Sequence, residues 1–204
     1  MNLYGSDNRL LAIEVMNEPT GQVIPFAKSM FRTAKSLQGS VPLTVGSDSI
    51  QHAEAYIPLG LNIIEFHYNY PISLKRFESA IQNALTVSRE YKLPVWLTEW
   101  QRLRPGGSGW GKKQISKSQL VPDYASLASI VHKYPIGNFF WSLMIKLAYL
   151  PPQRAQGTIN GLFWPNGSVW SLADAKSIAE DPALKLEQNH TIPSGFLDYL
   201  KKSK

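Results

Sequence analysis

The 204-residue sequence contains no cysteine. That excludes a disulfide framework, a thiolate metal site and a cysteine nucleophile. No stretch approaches the roughly 18 consecutive apolar residues of a membrane-spanning helix, so no membrane partner is expected. Residues Met1 to Asp7 (MNLYGSD) lack the basic and then apolar pattern of a secretory signal, and compartment is left open. Charge of one sign is scarce too. Lys and Arg number 21 against 15 Asp and Glu, a net charge of +6. Apart from Lys112-Lys113 and the tail lysines 201, 202 and 204, the basic residues are scattered. They form no stripe or module of a nucleic-acid binder, and no nucleic-acid partner is expected. The four histidines have no metal-ligand spacing, no Ser sits in a G-x-S-x-G elbow, and no glycine-rich phosphate loop is present. Neither metal nor cofactor is expected.

What is present is apolar and aromatic: 44% of the residues are hydrophobic, 11% of the chain is Phe, Trp or Tyr, and only 18% is charged. Such a chain buries enough surface to fold and is no disordered segment. Its length fits one domain, 1–204, with 181–204 as a C-terminal tail. Short β-rich runs alternate with longer segments of helical period. The runs are 10–16 (LLAIEVM), 43–46, 61–66 (LNIIEF), 95–98 (VWLT) and 138–143 (NFFWSL). Between them, Leu74, Phe77, Ile81, Leu85 and Tyr91 recur at near-helical spacing. So do Tyr124, Leu127, Ile130, Val131 and Tyr134, with Asp123 as N-cap. A weaker helix covers 27–37, with Gly39 as its stop signal. This alternation predicts βα units and a parallel sheet, an α/β fold. Long Gly- and Pro-containing stretches, 102–118 and 148–161, follow strands at the edge where α/β folds carry function.

Two carboxylates stand at strand ends: Glu18 in Asn17-Glu18-Pro19 and Glu99 in Thr98-Glu99-Trp100. A charge at the end of an apolar strand is costly unless it faces a polar pocket. Either Glu alone fits a surface loop equally well; two at equivalent strand ends favour a shared site. They lie 81 residues apart, three βα steps of about 27 residues each. On a closed barrel, strands three apart face one another across the mouth. Two carboxyl groups about 5 Å apart there can hydrolyse a glycoside by double displacement.

The ordered set Asn17-Glu18-Pro19, His67-Tyr68 after Ile64-Glu65-Phe66, Thr98-Glu99-Trp100, and Trp141 in Phe139-Phe140-Trp141-Ser142 resembles the second half of a clan A glycoside hydrolase, most similar to family 5, the cellulase-like retaining enzymes. The resemblance runs from about residue 10 to about 180. It implies a partial (β/α)8 TIM barrel corresponding to strands 4 to 8, with the first three βα units absent. It implies Glu18 as general acid/base, Glu99 as nucleophile, Asn17 on the sugar 2-hydroxyl, and His67, Tyr68, Trp100 and Trp141 around the substrate, Trp141 as the platform. His67 also reads as a satisfied core histidine, Trp141 as barrel core, and Trp100, Trp110, Trp164 and Trp170 as packing residues. Relatives carry a Tyr two residues after this His; here that position is Asn69, with Tyr68 and Tyr70 beside it, so which tyrosine reaches Glu99 is open. The absent units would also have supplied an Arg and a His that support the two carboxylates.

A five-stranded remnant has two bare edges, which invite association. A homo-oligomer that closes the sheet is therefore expected; a tail that folds over the open side is the alternative. The expected activity is retaining hydrolysis of a β-linked oligo- or polysaccharide, β-glucan, cellulose-like or related. The competing reading is a non-catalytic carbohydrate-binding remnant or an inactive fragment.

Overall fold

The computed structural model describes residues 7, 9–103, 121–148, 151, 154 and 158–192. The long loop 102–118 and the loop 148–161 therefore lie largely outside the described residues, as does Trp110.

Five parallel strands follow in chain order: β1 (Ile13–Asn17), β2 (Leu43–Gly46), β3 (Ile64–Asn69), β4 (Val95–Gln101) and β5 (Gly137–Phe140). β1 pairs with β2, β3 with β4 and β4 with β5, all parallel. β2 and β3 are joined by a parallel bridge between Ser47 and Phe66, and by hydrogen bonds from Asn62 N to Leu43 O (3.1 Å) and His67 N to Ser47 O (2.7 Å). The order is thus 1-2-3-4-5 with no crossover, the neighbour-to-neighbour sequence of a barrel wall. Helices α1 (Ile24–Ser36), α2 (Ile50–Glu54), α3 (Leu74–Tyr91) and α4 (Tyr124–Val131) return the chain between strands.

Local signals set these elements. Ser73 caps α3 by accepting from Arg76 N, and Asp123 caps α4 by accepting from Ser126 N. α3 stops where Lys92 turns left-handed (φ 55°), two residues before Pro94. α1 begins earlier than the periodicity indicates and ends on Leu37 at φ −104°, so Gly39 is not its left-handed cap. One face of each helix packs on the sheet. Phe31, Phe77, Ile81, Leu127 and Leu97 are fully buried, each contributing about 1.5–3 kcal/mol by burial.

Two short elements were too brief to leave a periodic trace. β6 (Lys146–Leu147) and β7 (Ile159–Asn160) pair antiparallel after β5, and α5 (Leu172–Ala179) then packs on α4. Gly161 permits the turn there, at φ +112° and pressed on the backbone of Met144. The described part of the tail returns to this segment: Val169 N donates to Glu187 O, and Leu184 and Leu186 pack with Leu162 and Val169.

Among the described residues, β1 and β5 each pair on one side only. Leu11 before β1 is 67% exposed, and Phe139 on β5 is 50% exposed.

Candidate active site

The site forms where the three strand pairings lose register. β1 and β2 slip between Glu14 and Asn17, β3 and β4 between Phe66 and His67, and β4 and β5 between Leu97 and Trp100. Such irregularities re-aim side chains at strand ends. Glu18 follows β1 in a left-handed conformation (φ 44°), uncommon for a non-glycine residue, with its N–H held by Gly46 O at 2.6 Å. Glu99 lies near the end of β4, opposite His67 of β3.

His67 is the hub. It is 2% exposed, and its Nδ1 lies 2.8 Å from Glu18 Oε1 and 3.7 Å from Glu99 Oε2. The first is a hydrogen bond; the second is electrostatic contact. One oxygen of each Glu and the imidazole nitrogen all lie within 4.8 Å of one another. Glu18 keeps a third of its side chain in solvent, and Glu99 about a sixth.

The hydrogen bond that holds Glu99 comes from Asn69, whose Nδ2 donates to Oε2 at 3.0 Å. Buried Gln101 fixes the amide by donating to Asn69 Oδ1 at 3.0 Å. Among the described residues, the side chain that contacts Glu99 from this segment is thus Asn69, between Tyr68 and Tyr70. Tyr68 stacks on Phe77 at 5.8 Å, and the Tyr70 hydroxyl accepts from Asn160 Nδ2 at 2.9 Å.

A cleft of about 370 Å³ opens beside Glu18 and His67, walled by Asp48, Tyr68, Asn69, Tyr70 and Ile72. Asn17 is exposed at the end of β1. Trp141 follows β5, with its N–H on Trp100 O at 3.0 Å, and is 36% exposed. The Trp141–Ser142 peptide is cis.

Trp100 needs correction. It is fully buried, its Nε1 donates to Asn138 Oδ1, and its ring packs on Tyr124 and Phe140. Its ring faces are covered and cannot receive a sugar. Trp164 and Trp170 pack on one another, and Trp164 Nε1 donates to Asn189 O at 2.8 Å.

Below the site lies a second carboxyl pair that sequence reading passed over, Glu14 of β1 and Glu65 of β3. Gly46 of β2 makes it possible: a Cβ there would stand 2.8 Å from the Glu14 carboxyl carbon. Glu14 therefore crosses β2 to reach buried Glu65. The signal was present, since each is a carboxylate inside an apolar run. Glu14 keeps one flank in solvent. Even so, burial pushes its carboxyl up to about 8, helped by the charge and hydrogen bond of Glu65 and then by Glu99 and Glu18. An unfolded Glu titrates near 4.5. Between about 4.5 and 8 the folded chain thus holds a proton that the unfolded chain has lost. Stability is expected to fall as pH rises through that window and to level off above it, by an amount that solvent screening of the exposed Glu14 reduces. Glu14→Gln removes this slope. Melting curves at pH 4.5, 6 and 8 are expected to show the variant gaining on the parent as pH rises; parallel profiles would refute the shared-proton pair.

No protein-family model matches the sequence, and no curated protein does. Solved structures do share the fold. A β-glucuronidase of Faecalibacterium prausnitzii superposes with a TM-score of 0.56 at 16% identity, covering 84% of this chain and 32% of its own. A Thermobacillus composti GH10 xylanase gives 0.53 at 18%, covering 87% of this chain and 65% of its own. A GH128 endo-β-1,3-glucanase of Amycolatopsis mediterranei, in complex with laminarihexaose, gives 0.51 at 13%, covering 82% and 72%. The chain therefore has an α/β fold of glycoside hydrolases, and spans about a third of the glucuronidase. These neighbours do not single out family 5.

Proposed function

We propose that the chain is a retaining glycoside hydrolase acting on β-linked glycosides. The observation that carries this reading is the approach of Glu18 and Glu99 to within 4.8 Å. Retaining enzymes hold their two carboxyl groups about 5 Å apart, whereas inverting enzymes need roughly 6.5–9.5 Å to seat a water. Glu99, gripped by Asn69, is the nucleophile: its oxygen attacks the anomeric carbon as the glycosidic bond breaks. Glu18, the more solvent-open of the two, donates a proton to the leaving oxygen. It then takes a proton from the water that releases the sugar from Glu99. His67 orients Glu18 through the contact of its Nδ1 with Glu18 Oε1 at 2.8 Å. Asn17 and Trp141 flank the reacting sugar, and Tyr68 lines the cleft. The order of motifs keeps family 5, the cellulase-like group, as the nearest pattern.

In the barrel reading the five strands stand as the fourth to eighth of eight. A second copy of the chain is proposed to cover the open face between β1 and β5, because both edges and Phe139 are uncovered. One observation favours the binding-remnant alternative: among the described residues, His67 is the basic side chain within ion-pair distance of both carboxylates, and no Arg or Lys comes that close.

The test combines a panel of aryl β-glycosides and soluble β-glucans with proton NMR of the first product, on material whose mass is set by sedimentation. A β-configured hemiacetal before mutarotation is the expected result. An α product would replace double displacement by inversion, and oligosaccharide binding without turnover would favour the remnant.

A further inference from the structure

The proposed sugar platform is not bare. Lys146 of β6 places its Nζ 3.8 Å from the centroid of the Trp141 ring. Trp141 follows β5 directly beside the end of β4, where Glu99 stands. Lys146 lies close enough for Glu99 to act on its charge. Withdrawal from water draws the ammonium below its ordinary range, and Glu99 offsets part of that. Among the described residues no carboxylate lies within ion-pair distance of Lys146. The exposed Lys146 ammonium is therefore held on an aromatic face, a contact worth about 0.5–1 kcal/mol at such a site, with Glu99 acting on it only from beyond ion-pair distance.

A neutral pyranose stacking on that face of Trp141 must displace the ammonium and return nothing for it. A pyranose bearing a carboxylate keeps the cation in place and supplies the missing anion. We propose that the site takes a β-glycoside whose reacting sugar is a uronic acid, and that Lys146 binds its carboxylate. This rests on the glycosidase reading above and names its substrate class. Lys146 is exposed, so water competes for its ammonium; a charge-assisted hydrogen bond to a bound carboxylate is still the stronger type, and its loss leaves the substrate charge unpaired.

The experiment compares kcat/KM for 4-nitrophenyl β-glucuronide against β-glucoside, and β-galacturonide against β-galactoside, in the parent, Lys146→Gln and Lys146→Arg. The parent is expected to favour the acidic member of at least one pair by about 10-fold or more. Lys146→Gln should reduce that ratio by roughly 30-fold, and Lys146→Arg should restore much of it. A parent that prefers the neutral sugars, or a ratio unmoved by Lys146→Gln, overturns the inference while leaving a glycosidase standing. Where nothing is cleaved, calorimetric titration with the same four glycosides decides. Binding of an acidic member that Lys146→Gln abolishes upholds the inference and removes the catalytic reading. Absence of binding by any of them overturns both.

Discussion

Glu99→Gln is expected to lower kcat by roughly four orders of magnitude or more on any aryl β-glycoside that the parent cleaves, the scale seen when a covalent nucleophile is removed. The substitution keeps volume and planarity, and Asn69 Nδ2 can still donate to the remaining side-chain oxygen. His67 lies 3.7 Å away, so no hydrogen bond to it is lost. The fold should therefore persist, with a melting temperature close to that of the parent. Azide distinguishes the two carboxylates by stereochemistry. In Glu99→Ala, azide takes the place of the nucleophile in a single displacement, so the glycosyl azide has inverted configuration. In Glu18→Ala, azide opens the intermediate on Glu99, so the product keeps the original configuration. A Glu99→Gln enzyme with more than a tenth of parental turnover would remove Glu99 from the role, and exchanged azide products would swap the two assignments.

The parts of this architecture that were legible in the sequence are those with long periods. α3 spans Leu74–Tyr91 as its apolar spacing indicates, and Asp123 caps α4. The strand runs at 43–46 and 95–98 sit inside β2 and β4. The carboxylates at two strand ends were readable because a charge there needs a reason. What escaped was set by tertiary geometry. For Trp100 the sequence leaves both a substrate contact and simple packing open, and the structure shows packing. Side chains alternate along a strand, so adjacency in sequence sends the two to opposite faces: Glu99 to the mouth, Trp100 to the core under α4. The Glu14–Glu65 pair depends on the missing side chain at Gly46, fifty residues of chain being needed to bring the three together. Asn69 displaces the expected tyrosine through a contact with Gln101 that no local pattern encodes.

The same limit hid Tyr124, which reads in sequence only as the first apolar residue of α4. Its hydroxyl is fully buried, and that burial pushes its proton affinity far up, so it stays a neutral O–H. It donates to Trp141 O at 2.6 Å and accepts from Ser142 N and Gly161 N, both at 3.1 Å. All of its hydrogen-bonding capacity is used. These three bonds tie the segment after β5, which carries Trp141, to the turn after β7, where Gly161 leads away from Asn160 and its contact with Tyr70. Tyr124→Phe deletes one oxygen and leaves two N–H groups and a carbonyl without this partner. Each buried group so orphaned costs about 1–3 kcal/mol, and partial relaxation of the loop leaves an expected loss of roughly 3 kcal/mol. Urea unfolding should show the loss as a lower midpoint at unchanged slope. Because the bonds fix Trp141, the surviving folded protein should, on the proposed glycosidase reading, also lose about 10-fold in kcat/KM with the carboxylates untouched. Tyr124→Leu offers no hydroxyl and a poorer fit against Trp100 and Phe140, and should lose more stability for a similar loss of activity. A Tyr124→Phe protein as stable and as active as the parent would mean that the cis-linked Trp141 segment is held by its own packing, and the hydroxyl would have no part in building the platform.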